Sequence, residues 1–408
     1  MAQSEKTPLR RSKWKKQILE IIRREGETSR TAVKRLSGLS MDSTLSLMDE
    51  LLSEGLIKTV GKEEPQGAGR RATLVRLDPD GCCFIGLRFS AGGLSAVCTD
   101  FLHRVLKERD LDFAVAPDTD TVLSGICRTL EEMIGALGGR ADRLRGIGIG
   151  APGILDAETG VVKRYVHIPD WKNVPLKAIL EQRFRVPVYV EHGVKCTARL
   201  LQEREGGGSD LMLVQMERGI NLCAIANGRV VSGRDHLAGE IGHIRVEGGT
   251  RLCDCGHVGC LETEVSSTRL LSRVEAAMRE NPGAYPLLRR MPGGDRLHLG
   301  SVCEAADAGD PDCRAVISAA ADALGRTLTA ALLLLNPEIV EVNGRLCRSA
   351  LFQETFLASV RASCLTETLA GVRFRFTDAS RKTDAVGAAR LPFRADFAVP
   401  EEPASFDY

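Results

Sequence analysis

The chain has 408 residues, more than one compact core usually holds, which predicts two or three domains. Its 43% apolar and 27% charged residues are typical of a globular protein and exclude wholesale disorder. The formal net charge is only +1, so any attraction to nucleic acid must come from a local basic cluster rather than from the whole surface.

Thirteen cysteines are scattered along the chain, and the N-terminus lacks the apolar stretch of a secretory signal. The longest apolar run, residues 330–335, is far too short to cross a bilayer. We therefore expect a protein of the reducing cytoplasm without a membrane span.

The N-terminal segment is basic and has helical periodicity. Five of the seven residues from 10 to 16 are Arg or Lys, and Trp14, Ile18 and Ile22 recur at four-residue steps. Three helices are predicted, the first ending at Gly26, the second running from Thr28 or Ser29 as N-cap to Gly38, and the third from Ser40 to Gly55. Their spacing is that of a helix-turn-helix.

Residues 56–60 and 73–77 read as two strands around a glycine-rich loop, which predicts a wing and completes a winged helix-turn-helix domain over residues 1–78. Short polar side chains on the third helix can hydrogen-bond base edges, and arginines on the wing can grip phosphates or enter the minor groove. The candidate DNA-binding residues are Ser43, Thr44, Ser46, Arg70 and Arg71.

Asp42, Asp49 and Glu50 on the third helix favour a different interpretation, since carboxylates repel phosphate. A dimerisation or adaptor module with the same fold is the alternative. We favour DNA binding because the basic segment, the turn and the wing agree with one another.

From residue 82 onward the pattern becomes α/β, with the strands 147–149, 188–190 and 211–214 between helical stretches. Residues 78–81 mark the domain boundary, and the glycines at 206–208 suggest a second hinge. We expect a first α/β lobe over 79–205 and a second over 206–381. A long helix, 313–335, precedes the strand 339–342 in the second lobe.

One cysteine-rich loop carries the strongest local motif. Cys253, Cys255 and Cys260 lie within eight residues, and His243 lies upstream. Three thiolates and one imidazole form a closed tetrahedral set for Zn²⁺, with no position left for water. The sequence therefore predicts a structural zinc site, with His257 as a rival fourth ligand; unligated thiols or a redox pair are the alternative.

Residues 239–243 (Gly-Glu-Ile-Gly-His), the cysteine loop and residues 259–262 (Gly-Cys-Leu-Glu) together resemble the ROK family of repressors, open reading frames and sugar kinases. Residues 150–153, 170–176 and 336–340 extend the resemblance over nearly the whole chain. With its N-terminal winged helix the chain is similar to the sugar-responsive repressors of that family, such as those for xylose and N-acetylglucosamine.

The resemblance implies a two-lobed, actin-like sugar-kinase fold in which a C-terminal helix, 382–396, completes the first lobe. It also implies Zn²⁺ at His243, Cys253, Cys255 and Cys260, and a homodimer or homotetramer. The expected partners are operator DNA and a small sugar or sugar derivative that alters DNA binding.

Kinase chemistry needs a carboxylate to deprotonate the attacking hydroxyl, together with loops that hold the phosphates. Where the family's kinases have an Asn-Asp pair, this chain has His192 and Gly193, so Gly193 occupies the position of the catalytic Asp. Arg88 stands where the first phosphate loop has an acid, and residues 217–219 (Glu-Arg-Gly) replace Gly-Thr-Gly. We expect no enzyme activity.

The resemblance assigns ligand binding to Glu240, His243 and Glu262, and the neighbouring family positions add His167 and His192. The alternative is that both acids only support the metal loop. The predicted cleft is also more basic than is usual in the family, which favours an anionic sugar derivative as effector. The basic residues in question are Lys163, Arg164, His167, His192, Lys195 and Arg218.

The sequence thus predicts a DNA-binding regulator, more specifically a repressor, of carbohydrate metabolism. A divergent ATP-dependent sugar kinase of the same family and a protein-interaction scaffold are the two alternatives.

Overall fold

The computed structural model describes residues 6–62, 72–113, 117–291, 297–378 and 380–398, with side chains from residue 11 onward. These residues form two compact units. The first comprises residues 1–193 and 382–408, and the second comprises residues 194–381.

The N-terminal module has the three predicted helices and two predicted strands. Its elements are α1 (Lys6–Glu25), β1 (Thr28–Ser29), α2 (Arg30–Ser37), α3 (Met41–Ser53), β2 (Ile57–Lys62) and β3 (Thr73–Leu77). Ser29 and Ser40 cap α2 and α3, each accepting a hydrogen bond from a backbone N–H three residues on. The three strands form one antiparallel sheet in the order β1-β3-β2. The predicted helix-turn-helix is confirmed.

The rest of the first unit is built on a five-stranded sheet in the order β11-β7-β4-β5-β6. Its elements are β4 (Cys83–Ser90), β5 (Gly93–Asp100), β6 (Val105–Asp112), α4 (Thr119–Gly135), β7 (Leu144–Ala151), β8 (Ile154–Asp156), β9 (Val161–Arg164), β10 (Lys172–Val174), α5 (Leu176–Phe184), β11 (Val188–His192) and, from the end of the chain, α13 (Arg381–Phe397). The pairs β4–β7 and β7–β11 are parallel, whereas β4-β5-β6 is an antiparallel meander.

Helix α13 lies against a glycine-lined part of this sheet. A Cβ atom on Gly86 would meet the Ala385 carbonyl oxygen at 2.0 Å, and one on Gly148 would meet that of Ala388 at 1.9 Å. Only glycine permits this approach of helix to strand. The C-terminal helix therefore belongs to the first unit.

The same helix also packs against the N-terminal module. Ile18 and Ile22 of α1 share one buried cluster with Phe84, Ala385 and Phe397. In addition, the Lys16 ammonium donates a hydrogen bond of 3.0 Å to the Ala395 carbonyl. The predicted domain 1–78 is consequently grouped within the first unit, because its core continues into that of the α/β lobe.

The second unit repeats the topology of the first sheet, with the order β14-β13-β12-β15-β16. Its elements are α6 (Gly193–Arg204), β12 (Leu211–Met216), β13 (Ile220–Ala226), β14 (Arg229–Val230), α7 (Leu261–Val265), α8 (Ser267–Glu280), α9 (Leu299–Asp307), α10 (Pro311–Leu335), β15 (Ile339–Gly344), α11 (Ala350–Ser363), α12 (Thr366–Leu369) and β16 (Arg373–Thr377). The pairs β12–β15 and β15–β16 are parallel, and β12-β13-β14 is antiparallel.

The division between the units differs from the predicted lobe boundary at residue 205. It falls after Gly193, so that α6 is grouped with the second unit. The reason is packing: Val194, Ala198 and Leu201 of α6 share a buried cluster with Leu211 and Ile339 of the second sheet. The glycines at 206–208 only connect α6 to β12.

Helix α10 is the one described helix with the length and hydropathy of a membrane span. Its apolar side chains Leu324, Leu328 and Leu332 are fully buried in the core of the second unit. Leu333 and Leu334 of its last turn are exposed, so only one face of the helix is buried in that core.

Candidate functional site

The four predicted metal ligands converge in the second unit. The ligand atoms of His243, Cys253, Cys255 and Cys260 all lie within 4.8 Å of one another. The Cys255 and Cys260 sulfurs are 3.6 Å apart, and Cys253 Sγ lies 3.8 Å from His243 Nδ1. Tetrahedral Zn²⁺ with bonds of about 2.3 Å to sulfur and about 2.0 Å to nitrogen separates its ligand atoms by roughly 3.5–3.8 Å. The donor set and its spacing fit Zn²⁺.

The loop turns back on itself to bring these ligands together. The Cys253 N–H donates to the His257 carbonyl at 2.8 Å, and the Gly256 N–H donates to the Cys253 carbonyl at 2.9 Å. Gly259 has φ +83, and a Cβ there would lie 2.7 Å from the Gly249 carbonyl oxygen. A glycine is therefore required just before Cys260.

His257, the rival ligand, contacts the cluster from outside. Its Nδ1 is 3.5 Å from Cys255 Sγ, but it is not among the four residues whose ligand atoms converge. Burial raises the pKa of the Cys253 thiol to about 12. The pKa of Cys255 falls to about 6, because hydrogen bonds from His257 and the neighbouring thiols outweigh burial and stabilise its thiolate.

Two carboxylates lie beside the metal loop. Glu262, in the first turn of α7 and two residues after Cys260, is 7% exposed and accepts a hydrogen bond from the Ile220 N–H. Burial raises the pKa of Glu262 and of Glu240, and the neighbouring His243 opposes the rise in both. These acids thus share one neighbourhood with a metal ligand, and carboxylate oxygens are suited to accept hydrogen bonds from sugar hydroxyls.

A lysine that the motifs did not single out as a ligand residue is also buried here. Lys195, in the first turn of α6, is 4% exposed and donates to the His236 carbonyl at 3.1 Å. Its positive charge also opposes the raised pKa of Glu240. His167 and His192 lie in the first unit, and their ligand-binding role stays a prediction.

The helix-turn-helix exposes two of its three predicted contact residues. Ser43 and Ser46 are exposed on α3. Thr44 is fully buried and its hydroxyl donates to the Ser40 carbonyl at 2.9 Å, so the prediction that Thr44 contacts DNA is corrected. Thr44 follows Ser43 by one residue, which is a rotation of about 100° around the helix axis, so its side chain points to the module's core while that of Ser43 points to solvent. Arg70 and Arg71 lie outside the described residues.

Two of the three acidic residues of α3, Asp49 and Glu50, are paired with basic residues of the preceding helices. Arg30 Nη2 donates to Asp49 Oδ1 at 2.6 Å. The ammonium of Lys15 lies 2.8 Å from Glu50 and 2.5 Å from Glu54. Arg11 pairs with Glu50 as well. These ion pairs reduce the repulsion of phosphate expected from Asp49 and Glu50, whereas the exposed Asp42 has no cationic partner among the described residues.

Comparison with known proteins identifies the family. Residues 96–394 match the sequence model of the ROK family. The chain belongs to the ROK family. It is 28% identical over 386 residues to the DNA-binding transcriptional dual regulator NagC of Escherichia coli K12, covering 93% of this chain and 91% of NagC.

ROK relatives also include kinases. The chain is 30% identical over 256 residues to a glucokinase of Halalkalibacterium halodurans, which covers 61% of this chain and 76% of the enzyme. Among solved structures, a ROK family transcriptional regulator described as a homolog of the E. coli MLC protein matches with a TM-score of 0.80 and 24% identity over 95% of this chain and 96% of its own. That likeness confirms the fold, in which an actin-like ROK domain follows N-terminal helices.

Two positions where this chain departs from the ROK kinases are now located. Gly193 begins α6, with Gly150 packed closely against it. Arg88 is 9% exposed on β4, and its Nε lies 3.4 Å from Oδ2 of Asp384, a buried acid of α13. The Arg88 guanidinium, at the position that the resemblance assigns to the first phosphate loop, is thus neutralised from within the chain.

Sequence reasoning missed the partners in these ion pairs. Arg11 and Lys15 on α1 are four residues apart, and so are Glu50 on α3 and Glu54, the residue that follows α3. A pair of basic residues and a pair of acidic residues with the same spacing could have indicated the contact between α1 and α3. Nothing in the local sequence around Arg88 points to Asp384, which lies 296 positions later by residue number (384 − 88).

Proposed function

We propose that this ROK protein is a DNA-binding transcriptional regulator, and more specifically a repressor, of carbohydrate metabolism. The proposal is carried by two features that occur together in one chain. One is a winged-helix module in which acidic residues of α3 form ion pairs with basic residues. The other is a ROK domain with glycine at the position of the catalytic acid. The similarity to NagC over 93% of the chain supports it.

The proposal holds that the ROK domain binds a sugar without phosphorylating it. Gly193 has no group that can take a proton from a hydroxyl, and Arg88, held by Asp384, does not provide the acid of a phosphate loop. The divergent-kinase alternative is favoured by the glucokinase relative. An ADP-release assay with a panel of hexoses separates the two: we expect no turnover above a protein-free control, and turnover abolished by His192→Ala would establish the kinase.

The effector site that we propose is formed by Glu240, His243 and Glu262 of the second unit, and a ligand-binding role for His167 and His192 of the first unit stays a prediction. Support comes from the two acids beside the metal loop, of which Glu262 is buried and Glu240 half-buried, because carboxylate oxygens removed from water gain by accepting hydroxyl donors. Calorimetric titration with neutral sugars and with their acid and phosphate forms tests the effector class. Tighter binding of the anionic forms is expected, and preference for neutral sugars would refute it.

Zn²⁺ is proposed as a structural ion held by His243, Cys253, Cys255 and Cys260. When bound, it would cross-link the loop and take no part in catalysis, because four protein ligands occupy all four positions of a tetrahedral ion. The loop positions Glu262, which follows Cys260 by two residues, so metal loss should weaken sugar binding. A homodimer or homotetramer in the cytoplasm completes the proposal, with the dimer placing two winged helices on two half-sites of an operator.

A further inference from the structure

The exposed face of α3 lacks a basic side chain of its own. Residues 41–53 contain no Lys or Arg. Arg11 of α1 reaches that face instead: its Nη2 donates to Ser46 Oγ at 2.9 Å and also to Glu50 Oε1. A guanidinium is therefore delivered from another helix to the middle of the helix that is expected to enter the major groove.

Glu50 holds Arg11 in a defined orientation. One carboxylate oxygen accepts from Arg11, and the other lies 2.8 Å from the Lys15 ammonium. Lys15 in turn contacts Glu54 at 2.5 Å, so the carboxylate is held from both sides. The Arg11 side chain remains 49% exposed, and its Nε and Nη1 groups make no hydrogen bond within the described part of the chain.

This arrangement is suited to recognise a base. Guanine presents two acceptors, O6 and N7, in the major groove, and arginine matches them with two parallel N–H groups, one of which belongs to Nη2. Exchange of the exposed Ser46 bond on DNA binding frees one Nη2 hydrogen to form this pair with Nη1 or Nε, while Glu50 keeps the other. An arginine fixed by a carboxylate loses less side-chain entropy on binding than a mobile one. An exposed ion pair by itself contributes little to folding stability, so helix packing alone is a weak reason for the cluster.

We propose that Arg11 is a specificity-determining residue that contacts a guanine edge in each half-site, with Glu50 as its positioning residue. The proposal rests on the DNA-binding function proposed above. Ser46, the predicted contact, lies beside Arg11 and contributes to the same contact surface. Loss of the Arg11 contact should weaken binding to the preferred site by about 5- to 150-fold.

The test is selection from a randomised DNA duplex library by the full chain, followed by fluorescence anisotropy on the selected duplexes. For the wild type we expect a motif with one strongly preferred guanine per half-site. Arg11→Ala should lose that preference and leave the other positions intact. Arg11→Lys should retain the salt dependence of binding but not the guanine, because lysine lacks the planar donor pair. Glu50→Gln should weaken the preference partially.

Arg35→Ala is the matched control, since Arg35 is exposed on α2 and has no ion pair among the described residues. It should lower affinity for all sequences alike, without a change of motif. An unchanged motif with Arg11→Ala or Arg11→Lys, or a uniform loss over all sequences, would overturn the role of Arg11 alone. A wild-type protein that enriches no motif would overturn DNA recognition, and the role of Arg11 with it.

Discussion

A half-buried histidine whose ring nitrogens are shielded from water makes the first unit sensitive to acid. His103, in the turn after β5, stacks on Phe84 at 5.9 Å and meets the edge of Phe393 at 4.4 Å. Both ring nitrogens are buried and have no hydrogen-bond partner among the described residues. Burial, reinforced by the positive charges of Arg390 and Arg23, lowers the pKa of His103 to about 2.

The consequence is a loss of stability as the pH falls. In the unfolded chain the pKa of histidine is about 6.5, so the unfolded state takes up a proton below that pH while the folded state does not. Between pH 7.5 and 5.5 this single group should lower the free energy of unfolding by about 1.4 kcal/mol. The whole loss is expected between the two pKa values, about 6.5 and about 2.

His103→Phe keeps an aromatic ring and removes the titrating nitrogens. We expect the free energy of unfolding of the variant, relative to that of the wild type, to increase by about 1.4 kcal/mol from pH 7.5 to 5.5. Urea titration of the full chain, followed by tryptophan fluorescence, is suitable because both tryptophans, Trp14 and Trp171, lie in the first unit. Parallel pH profiles for the two proteins would refute the reasoning.

Three further predictions concern the metal site, the packing of α13 and the third helix. Cys255→Ser should abolish stoichiometric zinc binding, measured by mass spectrometry. Cys364→Ser, outside the cluster, should keep the zinc. Full zinc occupancy in Cys255→Ser would contradict the ligand set. Gly148→Ala should lower the free energy of unfolding by about 3 kcal/mol or more, because its Cβ meets a carbonyl of α13. Gly135→Ala is the control, since its Cβ lies in open space, and it should be neutral or slightly stabilising. Both are measured by the same urea titration. Thr44→Ala should cost about 1 kcal/mol of stability yet leave the selected DNA motif unchanged.

Local signals in the sequence were sufficient for the N-terminal helices and the metal loop. Ser29 and Ser40 precede apolar periodic segments and prove to be N-caps, since capping depends on residues only three positions apart. The cysteine loop is equally local, and the structure brings in His243 from outside it. Such features are readable because their partners are close in the chain.

Features that depend on distant partners were not readable in this way. The grouping of α6 with the second unit follows from the buried cluster that includes Ala198 and Ile339, and the neutralisation of Arg88 needs Asp384. Thr44 was misplaced because polar residues at neighbouring helical positions look alike until the direction of the core is known. In each case tertiary packing supplied the missing information.

The central claim, sequence-specific DNA binding by the full chain, is tested most directly by recovery of bound fragments from genomic DNA of the source organism. The account predicts enrichment of a few fragments that share one two-fold symmetric motif, with affinity that falls steeply as salt rises. Uniform retention of all fragments, or none, at moderate salt would contradict it.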